Sequence, residues 1–76
     1  MSYSLFDTVA LTVDLPEQGL RSGAIGAVVD VYAKPSVAYE VEFCDALGRT
    51  VAMLALAPEQ IRLAKNDELP PGSRLA

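Results

Sequence analysis

The chain has 76 residues, ten acidic against six basic side chains, no histidine and one cysteine. That size holds a single domain with no interdomain cleft, and a domain so small buries only about 60% of its unfolded surface. Imidazole chemistry, an internal disulfide and a cysteine-based zinc site are excluded, and a net charge of −4 with its bases spread singly disfavours nucleic acid as a partner.

Apolar runs are short, and turn residues interrupt them about every eight to twelve positions, the spacing of a small all-β protein. Thr8 to Val13 alternates Val9, Leu11 and Val13 with Thr8, Ala10 and Thr12, and is expected to form the first strand. Asp14 to Gly19 breaks it, because Pro16 lacks a ladder donor and Gly19 permits a positive φ. Leu20 is expected to tuck under this loop as an anchor. Gly23 and Gly26 suit a tight turn feeding a second strand, Ala27 to Tyr32. The adjacent Val28 and Val29 there imply either two covered faces or a bulge.

Lys34-Pro35-Ser36 reads as the next turn. The third strand, Ala38 to Cys44, is the clearest: Tyr39, Val41 and Phe43 face one way, Glu40 and Glu42 the other. Asp45 to Gly48 reads as a hairpin loop with Gly48 left-handed. The fourth strand, Arg49 to Leu56, is apolar on both faces, Val51, Met53 and Ala55 against Ala52, Leu54 and Leu56. Pro58-Glu59-Gln60 gives one helical turn with proline at its start, and Ile61 and Leu63 mark a short fifth strand. Residues 1–64 are thus expected to form the domain. Residues 65–76, polar and rich in turn formers, are expected to be a flexible C-terminal tail or an arm that orders on a partner.

The expected fold is all-β: a small five-stranded SH3-like barrel with one short 3-10 turn before the last strand. Closure would limit the exposed edges of an open sheet. An OB-type barrel needs a helix between its third and fourth strands, for which Asp45 to Gly48 has no room.

Leu15 to Tyr32, with Tyr39-Glu40-Val41-Glu42-Phe43 and the later Pro58-Glu59-Gln60-Ile61-Arg62-Leu63, resembles the small bacterial proteins of the "domain of unknown function 4926" family over roughly residues 5–64. The glycine pair and valine run are also similar to the KOW-type turn and strand of many SH3-like barrels. The family resemblance implies the barrel, a bacterial origin and a small stand-alone protein. It supplies no catalytic motif. It implies an accessory gene, sometimes near toxin-like or mobile elements, and hence a partner-binding or immunity-type role.

The residues themselves offer little chemistry. Glu40 and Glu42 project side by side and could serve acid/base work or a hard cation, but their alternation with core residues reads as a solvated outer face. Cys44 beside Asp45 lacks a base to activate it and reads as structural, with Arg49 across the hairpin as the nearby cation. Gly19, Gly23 and Gly26 lack the Gly-Lys-Ser/Thr of a phosphate loop, and the acids lack the regular spacing of a calcium loop. The first loop, Asp14 to Ser22, has no aromatic residue to build a proline-peptide groove.

No catalytic, cofactor-binding or metal-ligating residues are therefore expected, and the protein is expected not to be an enzyme. The expected role is a protein-interaction module that forms a homo-oligomer or binds a protein partner, since a domain this small commonly gains stability by associating. The candidate contact residues are Glu40, Glu42, Tyr32, Tyr39, Arg49, Ala52 and Leu54. The alternatives are a toxin-neutralising partner, acidic to cover a basic surface, and a small-molecule binder at a subunit interface. No apolar run reaches membrane-helix length, no export signal is evident and the thiol is single, so a cytoplasmic location is expected.

Overall fold

Strict alternation in the third strand sets the frame of the structure, a computed structural model that describes residues 2–69. Five strands, β1 (Thr8–Leu11), β2 (Ile25–Tyr32), β3 (Ala38–Cys44), β4 (Thr50–Leu56) and β5 (Ile61–Leu63), form one antiparallel sheet in the order β4-β3-β2-β1-β5. Three short 3-10 turns, Pro16–Gln18, Pro58–Gln60 and Asn66–Glu68, complete the regular structure. The turn before the last strand falls where proline at a first helical position predicts it, and the Gln60 side chain accepts the Ala57 N–H at 2.8 Å.

Val28, Val41 and Leu54 lie opposite one another across β2, β3 and β4, and Phe43 faces Gly26 on one side and Ala52 on the other. With Tyr3, Val9, Leu11, Tyr39, Leu56 and Ile61 they make one core drawn from all five strands and the N-terminal segment. Leu15 and Leu20 pair across the first loop and pack against this core, so Leu20 anchors the loop as its position implied.

Gly26 is needed for room rather than for a turn. A Cβ there would sit 2.7 Å from Val41 Cγ1 and 2.9 Å from both the Glu42 carbonyl oxygen and Phe43 Cδ1. Gly19, Gly23 and Gly48 do adopt the left-handed backbone, at φ 71°, 94° and 80°.

Bulges disturb the register twice. One lies between Val28 and Asp30, leaving Val29 as the extra residue, which resolves the paired valines. The other lies at Phe43/Cys44, where Thr50 and Val51 together answer Cys44.

The sheet does not close into the expected barrel: β4 and β5 remain its two ends. All three residues of β5 pair with β1, and Tyr3 rather than a strand spans from β5 to β3. The first strand also ends earlier than alternation suggested. The Thr12 N–H leaves the ladder for the Gln60 carbonyl at 2.9 Å, and its hydroxyl donates to the Glu59 carbonyl at 2.7 Å. Of the expected tail, Lys65 to Leu69 packs back as the third 3-10 turn, while 70–76 lie outside the described residues.

Candidate functional site

Alternation sends Thr8, Ala27, Glu42 and Met53 to the outer face in one row, and Asp30, Glu40 and Ala55 to the same face in the next. Tyr32, opposite Ala38, stands on that face as well, and its hydroxyl donates to Glu40 Oε1 at 3.2 Å. Partial desolvation, then the bond to Glu40, push the Tyr32 phenol above its ordinary range. Glu42 accepts a short hydrogen bond from the Thr50 hydroxyl. The structure therefore brings Tyr32, Glu40 and Glu42 together on the outside, with both carboxylates engaged by neutral hydroxyls.

The other expected contact residues lie elsewhere. Tyr39 is 2% exposed, because the alternation that turns Glu40 outward turns Tyr39 into the core; it is not a surface residue. Ala52 and Leu54 are half-buried and pack against that core, so the outward residues of β4 are Val51, Met53 and Ala55. Arg49 is exposed at the hairpin, where its Nε lies 3.0 Å from Asp45 Oδ2. Asp45 also accepts the Arg49 and Leu47 backbone N–H groups, and these donors, the Arg49 N–H foremost, hold its carboxyl below the usual range. Cys44 is exposed rather than packed.

The two ends of the sheet differ. Beyond β5, the Arg62 guanidinium forks onto Glu68, with Nη1 to Oε1 and Nη2 to Oε2 both at 2.8 Å, and the Lys65 N–H donates to Glu68 at 2.7 Å. The fork draws the Glu68 carboxyl down to about 2 and raises Arg62. A charged pair thus sits on this three-residue strand, and a 3-10 turn follows it. At the other end, β4 offers seven residues, Thr-Val-Ala-Met-Leu-Ala-Leu, with no charge and no proline. Val51 and Met53 are each more than half exposed there.

Two further features went unmarked in the sequence. The first is the turn Ser4 to Asp7. The Asp7 N–H donates to the Ser4 carbonyl at 3.1 Å, the Ser4 N–H to Asp7 Oδ2 at 2.8 Å, and the Phe6 N–H to the Val28 carbonyl at 2.7 Å. Phe6 sits at φ 70°, the one described non-glycine residue with positive φ, and its side chain stays outside at 79% exposure beside a half-exposed Leu5. Left-handed backbone costs an L residue about 1–2 kcal/mol. No sequence signal marks the strain, because glycine or asparagine is the expected occupant of such a position.

The second is an open, mainly apolar recess of about 520 Å³ on the outer face, overhung by the Asp45 to Gly48 loop and walled by Thr8, Ile25, Ala27, Cys44 and Ala46, with Glu42 beside them. Small side chains at Thr8, Ala27 and Ala46 leave the space. Among the described residues no cluster of three or more acidic, cysteine or histidine side chains could hold a metal ion, and no helix is long and apolar enough to cross a membrane.

Against known proteins, a family model described as Domain of unknown function (DUF4926) matches residues 5–63. No curated protein and no solved structure matches the chain.

Proposed function

Because the chain belongs to the DUF4926 family, whose description carries no activity, we propose its function from its own surface: a non-enzymatic protein-interaction module that self-associates through the free edge of β4. The observation that carries this reading is the contrast between the sheet's two ends. Natural proteins guard edge strands with charge, proline or a covering segment, since a bare edge templates pairing with another chain. The β5 end carries the Arg62–Glu68 ion pair, and the Tyr3 hydroxyl occupies its Ile61 carbonyl. The β4 end has neither charge nor proline over seven residues.

A second copy is the fitting occupant. Antiparallel β4 strands from two copies would extend the sheet across a two-fold axis, the commonest symmetry of soluble homo-oligomers. The net charge of −4 on each copy repels at long range and is screened by salt. Glu40 and Glu42 lie on β3, so they and their symmetry mates would be separated by three strand spacings, about 14 Å. That exceeds the Debye length of about 8 Å at physiological salt.

Sedimentation velocity of the full chain tests the reading. The wild type is expected to self-associate, and Met53→Lys, which places a charge on the exposed side of the edge strand, is expected to remove one level of association with its circular dichroism spectrum unchanged. A variant that sediments like the wild type would defeat the proposal.

A further inference from the structure

We infer that the Leu5–Phe6 turn is an aromatic anchor that seats in the outer-face recess of a second copy, whose own turn fills the recess of the first. The inference rests on the reading that the chain self-associates, but it uses a surface separate from β4.

Three observations meet here. First, Phe6 is held in a conformation that glycine would adopt freely, and yet its ring is 79% exposed, so folding gains nothing from burying it. Second, the turn is fixed by its hydrogen bonds to Val28 and between Ser4 and Asp7, so the ring is presented with little left to order on binding. A rigid aromatic side chain is a characteristic centre of a protein interface.

Third, the complementary hollow is on the same chain. Its volume, about 520 Å³, suits an apolar group of the size of Phe6 with Leu5, and its walls are mostly small or apolar. Thr8 lines it only two residues after Phe6. A knob beside a hollow is the self-complementary arrangement that a two-fold axis requires, each copy giving and receiving once. Leu5 and Phe6 carry no charge, so the carboxylates of Glu42 and Asp45 beside the hollow do not repel them.

With the β4 edge as a second two-fold contact, the wild type is expected to sediment as a species larger than a dimer, closing at a tetramer where the two axes are perpendicular. Phe6→Gly and Met53→Lys are each expected to leave dimers, and the double variant monomers. At a dilution where both proteins are monomeric, Phe6→Gly should melt no lower than the wild type, because glycine takes the left-handed backbone without strain. Ala27→Trp, which fills the hollow and leaves the turn intact, should reproduce the dimer. Phe6→Gly sedimenting like the wild type, or melting lower than the wild type even at that dilution, overturns the inference. So does dissociation by Phe6→Gly that Ala27→Trp fails to reproduce. If Phe6→Gly and Ala27→Trp dissociate the protein while Met53→Lys does not, the β4 reading fails and this one stands. A monomeric wild type at millimolar concentration overturns both.

Discussion

The Tyr3 and Tyr39 rings meet edge to face, centroids 5.2 Å apart at 83°, and the Tyr39 hydroxyl accepts the Tyr3 backbone N–H at 3.2 Å. The Tyr3 hydroxyl in turn donates to the Ile61 carbonyl at 3.2 Å. A residue near the start of the chain thus ties β3 to β5 across the core. Tyr3→Ala removes an 8%-exposed ring, its edge-to-face contact with Tyr39 and the hydroxyl link to Ile61. It is expected to cost about 3–5 kcal/mol, most of the stability of a domain this size. Tyr39→Phe keeps the ring and strands one buried N–H, for about 1–3 kcal/mol. Urea unfolding midpoints of the two variants should fall in that order, and equal midpoints would refute the strap.

Gly26→Ala and Gly48→Ala separate crowding from backbone strain. At Gly26 the new methyl meets β3 backbone and two core side chains at 2.7–2.9 Å, and overpacking of this kind costs about 1–3 kcal/mol. At Gly48 nothing lies within 4 Å and only the left-handed φ opposes the change, for about 1–2 kcal/mol. A crystal structure of Gly26→Ala should show β2 and β3 displaced, whereas Gly48→Ala should leave the core unmoved. An undisturbed β3 in the first variant would contradict the tight packing.

Period-two alternation makes the core legible: Tyr39, Val41 and Phe43 turn inward while Glu40 and Glu42 turn outward, and the bulge at Val29 is one of the two readings the paired valines allow. Alternation says nothing of closure, which depends on whether β4 and β5 meet across the sheet. The same alternation that turns Glu40 outward puts Tyr39, 2% exposed, in the core and not on the surface. Ala52 and Leu54 lie on the half-buried side of β4, and a strand apolar on both sides carries no sign of which side is wet. Phe6 and the recess were not legible at all. The first depends on a backbone angle that phenylalanine seldom adopts, and the second on a loop folding over small side chains distant in sequence.

Acid should loosen the β5 end first. Glu68 titrates at about 2 in the folded chain against an ordinary 4.5, because Arg62 hydrogen bonds to its charged form. A depressed carboxylate stabilises the fold above its unfolded value, and that contribution fades as pH falls from about 4.5 towards 2. Melting temperature should therefore drop over that window. Glu68→Gln should begin lower at pH 7 and lose less on acidification, and parallel curves for the two proteins would rule the linkage out.

Cys44 offers an independent view of the recess it lines. The thiol is exposed in the single chain and should react readily with a maleimide when the protein is dilute. Alkylation should slow as concentration drives assembly, and in Phe6→Gly it should stay fast at every concentration. A rate in the wild type independent of concentration would mean that the recess stays open.

The register of β1 bears on how the molecule is made. Val9 pairs with Gly26 on one side and with Leu63 on the other, so the strand that emerges earliest waits for the last one before its ladder is complete. The β2-β3-β4 meander, whose neighbours follow one another along the chain, can assemble before β1 and β5 meet. Until those two strands dock, the folding chain is expected to hold three strands and an unsealed apolar side, an interval in which a chaperone would find it.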